Sequence, residues 1–162
     1  MSDWVLAEDL KEIAAELKDK YPTTLENVEV DKIVFLRELS SDKSRAYAYT
    51  KKIDPLYKVI NSTYDYLIVF FDKLIVDFTP AQLNVLVLHE LMHVGGTEID
   101  NKGNEKTKMI KHNVEDFFEI ITAFGPDWAT NDSCRDPLAE IIEIKPSPRS
   151  SDDAPQFVDS ED

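Results

Sequence analysis

The chain has 162 residues, of which 32 are acidic and 18 basic, giving a formal net charge of −14, and 43% are hydrophobic. That apolar share is enough for a core at this length and counts against a fully disordered chain. The excess of acids counts against a general nucleic-acid binder, because phosphate neutralisation calls for clustered Lys and Arg. The lone cysteine, Cys134, permits no intrachain disulfide and no thiolate zinc cluster, so a reducing, cytoplasmic setting is expected. The opening MSDWVLAEDLKE lacks the basic region of a secretory signal. No apolar run approaches a membrane span, so no membrane partner is expected.

In chain order, residues 3–20 carry Leu6, Leu10, Ile13 and Leu17 at helical spacing, with Ala14 beside them, and Tyr21-Pro22 ends the pattern. Residues 28–37 and 45–52 read as extended; the second alternates Arg45, Tyr47, Tyr49 and Lys51 against Ala46, Ala48 and Thr50. Pro55 to Ile60 suits a short helix or turn, and residues 64–71 have the composition of a buried strand. Thr79, Pro80 and Gln82 then form a helix-start signal of the capping-box type. The helix runs AQLNVLVLHELMHV, is apolar nearly all round, and is expected to stop at Gly95-Gly96. Residues 97–111 are polar and read as a loop. A helix is expected over 112–124, with Val114, Phe117, Phe118, Ile121 and Phe124 at core spacing, closed by Gly125-Pro126. Residues 138–144 carry no clear pattern. These elements predict an α+β domain over 1–145, followed by an acidic disordered tail over 146–162 with five acids and one Arg.

Residues 89–93 read HELMH, an H-E-x-x-H pattern within the predicted helix. Residues four apart on a helix differ by roughly 40° in azimuth and one turn in height, so both imidazoles face one way and can take two corners of a zinc tetrahedron. Glu90 lies about 60° round from His93, within reach of a water at the metal without having to ligate. Zinc acidifies such a water, and the carboxylate takes its proton and can pass it to a leaving amine. A chain of this length shows the pattern by accident in well under ~1% of cases. Imidazole ligation and tetrahedral habit favour zinc over other divalent metals.

A third ligand has to come from elsewhere. The third and last histidine, His112, opens the expected 112–124 helix, with Glu115, Asp116 and Glu119 at i+3, i+4 and i+7. His112 is the first candidate and Glu115 or Glu119 the next, and any of the three acids could instead orient a ligand. The extended HExxHxxGxxH pattern does not hold, since Ile99 stands where its third histidine would be. Arg45, Tyr47, Tyr49, Tyr57, Tyr64 and Tyr66 are oxyanion-stabilising candidates by residue type only. Trp4 and Trp128 read as core or domain-closing aromatics, Cys134 as structural, and the tail segment QFVD as a docking candidate within an otherwise solvated end.

The segments HELMHV and KHNVEDFFEIITAFGPDW together resemble the putative phage metallopeptidase family, which pairs an H-E-L-x-H helix with a downstream His-x-Val-Glu-Glu-Phe-like segment ending near a Gly and a Trp. They are more distantly similar to SprT/Spartan-like zinc proteases. The resemblance spans roughly residues 8–128. It implies a minimal zincin-like fold with a small twisted sheet, an HExxH active-site helix and a second metal-ligand helix. It further implies His89, His93 and His112 as Zn²⁺ ligands, Glu90 as the catalytic acid–base, a protein or peptide substrate, and a phage protein acting in the host cytoplasm. The DNA-linked role of the SprT-like enzymes is not carried over, because no basic DNA-binding region is evident. The competing expectation is an acidic zinc-containing binding or inhibitor protein, a mimic of DNA charge, motivated by the net charge and the tail.

Overall fold

The continuous apolar stretch that marks residues 64–71 as a buried strand becomes the inner strand of a mixed sheet. The computed structural model describes residues 3–112, 116–146 and the backbone of 157–158. Within it, β4 (Tyr66–Phe71) lies between β2 (Ile33–Glu38), which runs parallel to it, and β3 (Ala48–Lys52), which runs antiparallel. Ile68, Val69 and Phe70 are fully buried, as expected of a strand covered on both faces. A short strand, β1 (Trp4–Leu6), pairs with the other side of β2, so the order is β1-β2-β4-β3 and β3 is an edge. The parallel β2–β4 pair requires a crossover. That connection carries β3 and α2 (Pro55–Ile60), the latter started by Asp54, whose carboxylate accepts the Leu56 N–H.

Two helices supply the core opposite this sheet. In α1 (Glu8–Lys20), Leu10, Ala14 and Leu17 point inward and pack towards α4 and β2. The helical reading of residues 3–7 is corrected: Trp4, Val5 and Leu6 are β-compatible residues on an edge strand, where Leu6 is 65% and Trp4 47% exposed. Trp4 is therefore not a core aromatic. A short helix, α3 (Asp72–Ile75), follows β4. α4 (Pro80–Leu91) then begins with the expected capping box, in which Thr79 Oγ1 accepts the Gln82 N–H at 3.1 Å and Gln82 Oε1 accepts the Thr79 N–H at 2.8 Å. It is buried on most sides. Its buried polar groups are satisfied: Gln82 Nε2 donates towards the Trp128, Ala129 and Asn131 carbonyls, and Asn84 Nδ2 to Asp136.

The chain beyond α4 departs most from expectation. The helix ends at Leu91, and the polar stretch read as a loop is a hairpin of β5 (Val94–Ile99) and β6 (Glu105–Ile110). The glycines serve this hairpin and not a helix terminus. A Cβ on Gly95 would lie 2.9 Å from the Lys108 Cβ and carbonyl oxygen, and Gly96 sits at φ +82° beside the β-bulge. Hydrophobic periodicity misses the hairpin because it is polar on both faces. The helix read over 112–124 is shorter, α5 (Phe118–Phe124). His112 lies in irregular chain after β6, so no second metal-ligand helix carries it. The reason is local: the Asp116 carboxylate accepts its neighbour's N–H, from Phe117, at 2.7 Å, and Phe117 keeps an extended backbone as N-cap. The core position expected at Val114 and the alternative ligand Glu115 lie outside the described residues. So does most of the tail reading for 146–162, but Phe157–Val158 form β7, antiparallel to β6.

Among the described residues this is a mixed α and β domain with two small sheets. No described helix is long and apolar enough to cross a membrane.

Candidate metal centre

The last turn of α4 and the end of β6 converge on one cleft. His89 and Glu90 project from the helix, and His93 follows two residues past its end. The β5–β6 hairpin folds the chain back so that Ile110 lies beside His93, with the Ile110 N–H on the His93 carbonyl at 2.8 Å. His112 is thereby delivered to the two earlier histidines, although it stands nineteen positions after His93 in sequence. One ring nitrogen from each of His89, His93 and His112 lies within 4.8 Å of the others. Bonds of ~2.0 Å to a tetrahedral zinc would set ligand atoms about 3.3 Å apart, so modest side-chain movement closes the set on a cation.

The surroundings fix how the rings face. His93 Nδ1 is 2.7 Å from the Ile110 carbonyl and must donate to it, which makes Nε2 the ring's lone-pair nitrogen and its candidate ligand atom. His89 Nδ1 is 2.6 Å from Asp116 Oδ1. Asp116 is itself held by Trp128 Nε1–H at 2.9 Å on its other oxygen. A carboxylate on the outer nitrogen of a histidine is the arrangement that orients metal-ligating imidazoles. The inner nitrogens of His89 and His112 are 2.9 Å apart. Two imidazole lone pairs at that distance repel unless a proton or a cation lies between them, so the donor set fits a divalent metal. Phe117, 2% exposed, packs against all three rings at centroid distances of 5.0 to 5.3 Å and gives the cluster an apolar floor.

Glu90 is buried beneath this cluster. Thr50 on β3 donates its hydroxyl to Glu90 Oε1 at 2.8 Å, with the Glu90 carbonyl 3.1 Å from the same hydroxyl. The second carboxylate oxygen, Oε2, is 3.8 Å from His89 Nε2 and so borders the converging nitrogens. Burial pushes the Glu90 carboxyl above its ordinary range, and His89 and the Thr50 bond offset only part of this. Burial also works against a charged His89, but the Asp116 bond and the two neighbouring carboxylates outweigh it and raise its pKa. Asp116, penalised by burial, is still held below the usual carboxylate range by His89 and Trp128.

The cleft over these groups encloses about 540 Å³ and is walled by residues 46–50 of the β3 side, by Met109, and by Trp128. Tyr47 and Tyr49 line it; Arg45, Tyr57, Tyr64 and Tyr66 do not. The Tyr66 hydroxyl instead accepts the Gly96 N–H and donates to the Lys108 carbonyl, tying β4 to the hairpin. Glu119 is on α5 and lines a different cleft, outside the histidine cluster. Thr50 and Phe117 were not legible as site residues: the first looks like a small strand residue and the second like core. Asp116 was in view as an orienting acid, and only its pairing with Trp128 is new. A model of the putative phage metallopeptidase family matches residues 2–136. No curated protein and no solved structure matches the chain.

Proposed function

Because the chain belongs to the putative phage metallopeptidase family, we propose that it is a zinc-dependent peptidase in which His89, His93 and His112 hold the cation and Glu90 is the general base. The observation that supports this reading is the convergence of the three imidazoles beside a buried carboxylate that is not one of them. When bound, zinc would act as a Lewis acid that acidifies a water in its open position and polarises the scissile carbonyl. The protein's own share is to orient and to move protons. Thr50 occupies Glu90 Oε1, leaving Oε2 as the atom that takes the proton from water and then delivers it to the leaving amine nitrogen. Asp116, braced by Trp128, holds the His89 ring with Nε2 inward.

Among the described residues, β3 pairs with β4 on one side and leaves its other edge free, and its residues wall the cleft. An extended peptide adding to that free edge would cross the histidine cluster, with alternate side chains directed into the cleft. The test is the Glu90→Gln variant of protein purified without chelators. Both forms should carry one equivalent of zinc by native mass spectrometry, while the variant loses peptide hydrolysis by ~10²–10⁴-fold. Equal hydrolysis by the variant would remove Glu90 from the mechanism. Metal-free protein that also refuses added Zn²⁺ would end the peptidase reading, whereas zinc-loaded protein that hydrolyses no peptide would leave the acidic zinc-containing binding protein as the alternative.

A further inference from the structure

β6 uses both of its edges. One pairs with β5, and the other is occupied by β7, with Met109 opposite Val158 and Ile110 opposite Phe157. The main chain of Ile110 faces the β5 side, since its N–H donates to the His93 carbonyl and its carbonyl accepts from His93 Nδ1. Successive residues of an antiparallel strand present their main-chain groups to opposite edges. Met109 N–H and C=O therefore face β7. Met109 also lines the cleft, as does Ala48 of β3, and β3 and β6 approach each other. An extended peptide following β3 over the histidines would run beside the strand that β7 covers.

The charges of the two segments are complementary in sequence. Phe157 and Val158 are preceded by Asp152 and Asp153 and followed by Asp159, Glu161 and Asp162. β6 opens on Glu105 and then carries Lys106 and Lys108, the latter paired with Glu98 of β5 at 2.8 Å, and Lys111 comes directly after it. In backbone register, a pair that is apolar and acid-flanked in sequence thus lies opposite Met109 and Ile110, which stand between Lys108 and Lys111, on a chain whose overall charge is −14.

We propose that the outer edge of β6 is a docking strand for extended, acid-flanked apolar segments, and that the chain's own C-terminal segment around Phe157–Val158 is its resident occupant, restraining peptide entry at the cleft. The docking stands on the pairing and the charge pattern; the restraint rests on the peptidase reading above. A strand of two residues is held by few hydrogen bonds, so its docking is reversible and a competing acidic segment can displace it.

The test uses full-length Val158→Pro, which removes a backbone donor without shortening the chain, alongside a charge variant, Asp159→Asn with Glu161→Gln. Amide exchange at Met109, read by NMR, should accelerate roughly tenfold in Val158→Pro, the loss expected for about one backbone hydrogen-bond pair. In the charge variant it should accelerate less and lose its salt dependence. Hydrolysis of a short peptide should rise about fivefold in Val158→Pro. A synthetic peptide of residues 150–162 added to that variant should restore both Met109 protection and the lower rate. Unchanged Met109 exchange in Val158→Pro overturns the docking. Exchange that accelerates while hydrolysis falls overturns the restraint, because the segment would then support the site. Since exchange needs no turnover, protein that hydrolyses nothing yet shows the Met109 change keeps the docking and loses the peptidase reading.

Discussion

α4 and the β5–β6 hairpin each deliver histidines to one site, and they are built in opposite ways. α4 is buried over most of its surface and opens on a complete capping box. The hairpin is polar and largely exposed, and its inward contacts are few: Val94, Met109, and the Tyr66 hydroxyl bridging to Gly96 and Lys108. His89 and Glu90 therefore sit on a platform fixed by apolar burial, whereas His112 hangs from a ribbon fixed by individual hydrogen bonds. The site is assembled from a stiff half and a light half. Cation binding across the two would lend the hairpin stability it does not draw from the core.

The largest expected effect tests the stiff half. Leu88 is fully buried, on the helix turn that carries His89 and Glu90. Leu88→Ala should cost about 3–5 kcal/mol of unfolding free energy, from lost transfer energy and the cavity left behind, as read by urea denaturation. A cost under about 1 kcal/mol would mean that α4 is not the rigid platform, and the contrast with the hairpin would fail.

Legibility in the sequence follows the same division. Thr79, Pro80 and Gln82 announce α4, and its apolar run announces its burial, because both signals act through nearest neighbours and hydrophobic pattern. The pairing of HELMH with a later histidine was equally visible in residue type and spacing. The hairpin was hidden because its alternation carries no apolar face, and Gly95-Gly96 imitates a helix stop while serving a close strand approach and a positive φ. The start of the helix expected over 112–124 is displaced for a related reason. Core spacing over Phe117 to Phe124 is real, but Asp116 spends its carboxylate on His89, Trp128 and the Phe117 N–H, and the helix starts only after it. Thr50 stayed invisible as a Glu90 partner because forty positions separate the two. No local signal encodes a contact at that range.

A second, smaller effect lies at the junction of the halves. Asp116 belongs to the segment after the hairpin, yet it braces His89 of α4. Asp116→Asn keeps the acceptor for Trp128 but removes the charge that faces His89. Zinc affinity, measured by competition with a chelating dye, should weaken ~10–100-fold, the range for outer partners of metal ligands. The urea midpoint of the metal-free protein should move little by comparison. Unchanged affinity would show that the apolar packing of Phe117 alone is enough to orient His89.

The smallest effect tests the light half. Tyr66 is nearly buried on the central strand, and its hydroxyl meets the hairpin main chain at Lys108 and Gly96. Tyr66→Phe keeps the ring in the core and deletes only the bridge, which should cost about 1–2 kcal/mol because the Gly96 N–H and the Lys108 carbonyl lose a partner away from bulk water. The loss should be uneven, with amide exchange rising in β5 and β6 well before it rises in α4. Alkaline pH gives an independent reading. Burial pushes the Tyr66 hydroxyl up to about 12, against an ordinary value of 10.0. The folded state therefore favours the neutral phenol, and that contribution is whole below about pH 10 and is lost as the pH rises towards 12. Tyr66→Phe should be less stable than the parent at neutral pH, and the gap should narrow across that alkaline interval. A gap that held constant would mean the hydroxyl is not the tie between the core sheet and the ribbon that carries His112.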